Sequence, residues 1–175
     1  MQSVLGTSAD VGFQLDLGEL GDILLYARYK AVGIALGEGK IMNRKEIEEV
    51  LKKPYMPFYV YLLRNPKGHV FYVGKGEGKR ILNHEKELYR KHFPVHTNWK
   101  KLNRVAQIIA SGKEIGYEIE SWHYDEFSAY EREDKLILKY EHKNPHRLCN
   151  SNGQRWRGNP SKGLIKLRAE KKIGI

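Results

Sequence analysis

Two phenols, Tyr61 and Tyr72, stand in neighbouring apolar runs, and an arginine, Arg80, precedes a histidine, His84, by four residues. A phenol has an ordinary pKa near ~10, so it takes a proton from water only where cations lower that value or an adjacent base relays the proton. Lys75, Arg80 and His84 could supply that setting. A guanidinium offers a planar fork of donors suited to a phosphodiester and to charge developing in a transition state, and an imidazole can orient a phenol or shuttle a proton. Arg80 and His84, four apart, are expected on one helix face and able to meet the same phosphate. A plainer account also fits these residues: two packed strand tyrosines among the 11 in the chain, and two surface residues of a basic helix.

Glu133 is singled out by spacing. On a helix expected from about Phe127 to Tyr140, the apolar Phe127, Tyr130, Ile137 and Tyr140 recur every three or four residues, and Glu133 falls within that pattern while Glu131 and Asp134 do not. The spacing predicts a carboxylate on the buried stripe, which is costly unless the group is paired, hydrogen-bonded or bound to a cation. Either a neighbouring Arg or Lys, or a hard divalent ion that takes one or two carboxylates and keeps several waters, would offset that cost.

The elements that position these groups follow from pattern. Phe58 to Leu63 and Val70 to Gly76 are rich in aromatic and β-branched residues, and Asn65-Pro66-Lys67-Gly68 between them is turn chemistry, which together predict a β-hairpin. Tyr59 and Tyr61 then point the same way. A helix is expected from Arg80 to about His92, closed by Pro94, and a second from Trp99 to Ala110, with Leu102, Val105, Ala106 and Ile109 inward and Lys100, Lys101 and Arg104 outward. Ile115 to His123 alternates as a third strand. Upstream, Asn43 and Glu46 have capping-box spacing before Ile47, Val50 and Leu51, and Pro54 ends that helix. After Asn150 the chain is basic and mostly solvated, with helical pattern from Lys162 to Lys172.

Taken in order, these pieces resemble the GIY-YIG nuclease superfamily. Tyr59-Val60-Tyr61 followed by Tyr72-Val73-Gly74 is similar to its paired signature, with Tyr59 in place of the leading Gly. Arg80 and His84 resemble its Arg-x-x-x-His segment, Glu133 to Tyr140 its Glu-x-x-x-Ile-x-x-Tyr helix, and Leu148-Cys149-Asn150 the Asn that follows. The run Phe71 to Gly76 is most similar to a subgroup that includes LEM-domain ankyrin-repeat nucleases. Lys75 can reach phosphate because Gly74 and Gly76 beside it let the backbone approach closely. The resemblance implies that Tyr61 and Tyr72 divide the roles of base and positioner and that Arg80 and His84 serve the phosphate and the phenol. It further implies that Glu133 holds one Mg²⁺ or Mn²⁺ and that Asn150 ties the site together by hydrogen bonds.

Bulk properties agree. The 175 residues suffice for one domain with a core: 1–54 is expected to be an N-terminal extension, 55–150 the nuclease-like domain and 151–175 a basic tail. A net charge of +10 favours a polyanion. Lys75, Lys79, Arg90, Lys91, Lys100, Lys101 and Arg104 form one set of phosphate-tracking candidates. Arg155, Trp156 and Arg157 form another, with Lys162, Lys166, Arg168, Lys171 and Lys172 following, and Trp156 is able to stack on an unpaired base. No apolar run approaches the ~20 residues of a membrane span and no signal segment is evident, so a cytoplasmic or nuclear location is expected. Gly74 to Arg80 fails the Walker pattern in spacing and in its last residue, and His142, His146 and Cys149 lack a fourth zinc ligand.

The expectation is an α+β domain, a three-stranded antiparallel sheet flanked by helices, acting as a metal-dependent DNA endonuclease that hydrolyses in one step. A non-catalytic nucleic-acid-binding module and a nuclease acting on RNA are the alternatives.

Overall fold

The computed structural model describes residues 37–54, 56–143, 148–150 and 160–173, together with positions 27, 28 and 31. Three antiparallel strands form the sheet: β1 (Phe58–Arg64) in the centre, β2 (Val70–Glu77) on one side and β3 (Gly116–His123) on the other. The β1–β2 turn is built as its residues require. The Asn65 side chain accepts from the backbone N–H groups of Lys67 and His69, both at 3.0 Å, and Gly68 takes the positive φ of 79°.

Five helices accompany the sheet among the described residues: α1 (Arg44–Val50), α2 (Asn83–Glu87), α3 (Trp99–Ala110), α4 (Glu126–Lys143) and α5 (Lys162–Ile173). The α1 capping box is complete, with Glu46 N–H donating to the Asn43 side chain at 3.0 Å and Asn43 N–H to the Glu46 carboxylate at 2.8 Å. Met42 exchanges backbone hydrogen bonds with Tyr117 of β3, and Met42, Ile47 and Leu51 enter the main core. The segment just before the hairpin therefore completes the domain's packing.

The two sheet faces bury different clusters. Tyr59, Tyr61 and Leu63 face the larger one with residues of α1 and α3 and with Ile81, Leu82 and Leu88 flanking α2, while Val60, Leu62 and Val73 pack with Ala129 and Leu136 of α4 and with Leu148.

Four expectations change. Residues 80–92 do not form one long helix: a 3₁₀ turn at Arg80–Leu82, where Ile81 N–H donates to the Tyr59 hydroxyl, leads into the short α2. On α3 the buried line is Leu102, Val105, Ala106 and Ile108, and Lys101 joins it instead of facing water, since Glu87 pairs with its ammonium. On α4 the buried line runs through Ala129 and Leu136, leaving Phe127 72% and Tyr130 50% exposed. Finally, α5 is docked as well as basic: Leu164 is fully buried and Leu167 packs against the main core, while Lys166 stays in water.

Candidate active site

The hairpin register creates the site. Tyr61 pairs across the strands with Gly74 and Tyr59 with Gly76, and the two rings lie over those glycines. A Cβ at Gly74 would come within 2.5 Å of the Tyr61 ring and hydroxyl, and one at Gly76 within 2.5 Å of the Tyr59 ring. The space expected to admit a phosphate to the backbone is thus filled by phenols. This corrects the reading of the glycines: they let Tyr61 reach across β2 toward the edge of the sheet.

Tyr59, noted in the sequence only as a departure from the signature, has a structural task. Its hydroxyl donates to the Gly78 carbonyl at 2.9 Å and accepts from Ile81 N–H at 3.2 Å, fixing the turn that presents Lys79 and Arg80. Its register opposite Gly76, which the sequence alone does not state, gives the ring its place.

At the outer edge of β2, backbone groups that no strand pairs are met by residues from elsewhere. Cys149 N–H donates to the Phe71 carbonyl at 2.6 Å, and the Asn150 side chain both accepts from Val73 N–H at 2.9 Å and donates to the Val73 carbonyl at 2.8 Å. Two residues on, Lys75 N–H is hydrogen-bonded to the Glu133 carboxylate from α4. A sheet edge is a row of unsatisfied donors and acceptors, and here it serves as the frame on which an amide and a carboxylate are hung.

Beside that edge opens a cleft of about 560 Å³ lined by Tyr61, Tyr72, Lys75, Lys79, Arg80 and Glu133, among others. Glu133, four residues after Ala129 and three before Leu136, continues the buried face of α4 to the cleft wall, where it is half-buried, and it makes no salt bridge among the described residues. Burial pushes its carboxyl above the ordinary value, opposed by the Lys75 hydrogen bond and by the Lys75 and Arg80 charges. The Lys75 ammonium is paired with Glu126 and lies 4.1 Å from the centre of the Tyr130 ring. Arg80 and Lys79 are exposed.

His84 does not share the cleft with Arg80. It is fully buried behind Tyr61, with Nε2 2.6 Å from the phenol oxygen. Burial, reinforced by the Lys101 and Arg80 charges, holds the imidazole well below its ordinary pKa and therefore neutral. The phenols are not activated by nearby cations in the way expected: burial outweighs Arg80 and raises both Tyr61 and Tyr72. Of the two routes open to a phenolic base, the relay through a neighbouring acceptor is the one this arrangement provides.

Residues 62–171 match the LEM-3-like GIY-YIG domain family. The chain belongs to this family. The match spans more than half of the 175 residues and continues beyond Asn150 through most of α5. No curated protein and no solved structure matches the chain. A GIY-YIG domain is a nuclease domain, a hydrolase acting on nucleic acid, and GIY-YIG nucleases in general depend on a divalent metal.

The chemistry of the cleft fits one hard ion. Among the described residues no three His, Cys, Asp or Glu side chains converge; the cleft is lined by two carboxylates, half-buried Glu133 and exposed Glu77, and is open to water, the kind of site Mg²⁺ accepts when phosphate and water complete its shell. No helix of the described residues is long and apolar enough to cross a membrane.

The basic residues divide. Arg90 and Lys91 are exposed, while Lys100 and Arg104 are half-buried near a groove between α3 and the start of α5. Lys100 donates to the Leu148 carbonyl at 2.6 Å, and Lys101 is a core residue at 6% exposure. Arg155, Trp156, Arg157 and His146 lie outside the described residues, and Lys171 and Lys172 are described in backbone alone.

Proposed function

We propose that this GIY-YIG domain is a metal-dependent endonuclease that hydrolyses DNA phosphodiester bonds in one step by tyrosine-assisted attack of water. The observation that carries the reading is the convergence of Tyr61, Tyr72, Arg80 and Glu133 on one cleft, with the Tyr61 hydroxyl resting on a neutral, buried imidazole.

Tyr61 is the base in this account because His84 stands behind it. As water approaches phosphorus, its proton moves to the Tyr61 oxygen while the phenol's own proton moves to His84 Nε2, so no free phenolate is required in the resting enzyme. Tyr72, half-buried at the cleft wall, orients the water or a phosphate oxygen. Arg80, exposed and fixed at the start of the 3₁₀ turn by the Tyr59 anchor, offers its guanidinium to the charge that grows on the phosphoryl oxygens. Lys75 and Lys79 hold the flanking backbone, and Asn150 keeps the β2 edge in register. Glu133 would hold Mg²⁺ or Mn²⁺, which when bound supplies Lewis-acid polarisation of the phosphate and stabilisation of the leaving oxygen. Arg90, Lys91, Lys100 and Arg104 extend the path of the nucleic acid beyond the cleft, with affinity falling steeply as salt rises.

Purified Glu133→Gln should lose cleavage of duplex and branched DNA in Mg²⁺ while retaining binding close to that of the unaltered protein. Unchanged turnover would remove Glu133 from the metal site. Running RNA in the same panel separates the substrate class, and binding without turnover of any substrate by the unaltered protein would leave a non-catalytic module.

A further inference from the structure

The far side of His84 carries an arrangement that the chemistry above does not use. Its Nδ1 is buried with no hydrogen-bond partner. Facing it, 4.0 Å away, is the Glu87 Oε2 from one turn further along, and Glu87 is itself buried at 8% exposure. The Lys101 ammonium reaches across from α3 to the same oxygen at 2.9 Å and sits 5.0 Å from the centre of the Tyr72 ring. An unpartnered imidazole nitrogen beside a buried ion pair is poor design for stability, since apolar residues of similar volume would pack there without desolvating any charge.

We propose that Glu87 is a positioning residue of the proton path: it selects the His84 tautomer with hydrogen on Nδ1, leaving Nε2 free to accept from Tyr61, and it offsets the imidazolium charge when that proton arrives, while Lys101 fixes the orientation of the Glu87 carboxylate. The inference rests on Tyr61 being the base. One proton passes from water to the Tyr61 oxygen and one from Tyr61 to His84 Nε2. The water oxygen forms its bond to phosphorus as the bond from phosphorus to the leaving oxygen breaks, and the leaving oxygen is protonated from solvent. His84 then returns its proton through Tyr61. In the intervening state Nδ1–H points at Glu87 and the 4.0 Å gap closes to a hydrogen bond, the same division of labour by which a buried acid orients and stabilises a histidine in a hydrolase triad.

The charged and titratable groups facing His84 are Tyr61 from β1, Tyr72 from β2, Arg80 from the 3₁₀ turn, Glu87 from its own helix and Lys101 from α3. Arg80 and Lys101 oppose a proton on the imidazole, and Glu87 alone favours one. Their removal must therefore act in opposite directions.

The test uses the full chain and has two arms. In the first, ¹⁵N NMR of the His84 imidazole reads the tautomer without any need for turnover. The expected result is a protonated Nδ1 and a bare Nε2, with Glu87→Gln weakening that preference. The second arm measures cleavage against pH. Glu87→Gln should lower kcat by about 10- to 100-fold, the scale on which a metal-ligating histidine responds to loss of its outer partner, with little change in KM. The acid limb of its profile should move to lower pH, whereas Lys101→Met should move the limb to higher pH. Because each single change strands a buried charge, the double variant Glu87→Gln/Lys101→Met is included; it should stay folded with kcat still depressed. A protonated Nε2 in the unaltered protein, full kcat in the double variant, or limbs that move together or not at all would overturn the proposal. A wrong tautomer sinks the relay and leaves the nuclease reading standing, while loss of that reading would show as no metal-dependent cleavage whatever the tautomer.

Discussion

Against α4 the sheet presents Val60, Leu62 and Val73 to Ala129, Leu136 and Leu148, a cluster of six aliphatic side chains; against α2 and α3 it presents the rings of Tyr59 and Tyr61, and beside them lie His84, Glu87 and Lys101, all buried. The first face gains from burial alone, roughly 25 cal/mol per Å² of apolar surface removed from water, with no polar group to satisfy. The second buries phenols, an imidazole and an ion pair, each of which must find a partner or lose several hydrogen bonds to water. Apolar burial stabilises both sides of the sheet, but buried polar and titratable groups gather on the side with the larger core. The cleft opens at the β2 edge, where Glu133, rooted in the aliphatic side, comes round to meet the phenols.

Substitutions on the two faces should separate accordingly. Leu62, 1% exposed on the aliphatic face, should cost about 2–5 kcal/mol when cut to alanine. Chemical denaturation reads that loss, and turnover per folded molecule should change little. Gly74→Ala attacks the other face: its new Cβ would meet the Tyr61 ring at 2.5 Å, forcing the phenol off His84. Overpacking should cost about 1–3 kcal/mol, and displacement of a reacting group by about 1 Å should lower kcat on the order of 10²-fold. If the Leu62 change instead depressed kcat as far as the Gly74 change, the division between faces would be wrong.

A smaller effect concerns alkaline pH. Burial pushes Tyr59 up to about 12, and Tyr72 and Tyr117 are raised too. A phenol whose folded pKa lies above its unfolded value of ~10 contributes stability that is complete below pH ~10 and lost as pH rises through the folded value. The melting temperature should therefore fall from pH ~10 toward about 12, and Tyr59→Phe should flatten part of that fall. His84 has the opposite sign: its depressed pKa contributes stability present above its ordinary value of 6.5 and lost in acid.

Much of this was legible in the residues, and the illegible parts share a cause. The hairpin was readable because Asn65 and Gly68 encode a turn and the flanking runs are aromatic and β-branched; α3 was readable because Leu102, Val105 and Ala106 recur at helical spacing. Glu133 was readable as an acid in need of a partner, though for an inexact reason, since small Ala129 and not Tyr130 is what α4 buries. What stayed hidden depends on contacts between distant segments. Lys100 and Lys101 look alike in sequence, yet one hydrogen-bonds a backbone carbonyl and the other enters the core, because Glu87 lies behind it. The tasks of Gly74 and Gly76 are set by cross-strand register, which no local pattern states. The 3₁₀ start at Arg80 follows from Tyr59 holding the preceding turn, again a partner 22 residues away.

The central claim is that Tyr61, relayed by His84, removes the proton from the attacking water. Single-turnover cleavage of DNA by Tyr61→Phe and Tyr72→Phe in Mg²⁺, each checked for folding and for DNA binding, tests it most directly. The account predicts that Tyr61→Phe loses on the order of 10²- to 10⁴-fold in rate with binding intact, the range of a general base, and that Tyr72→Phe loses less. A Tyr61→Phe protein that cleaves at the rate of the unaltered enzyme would contradict it.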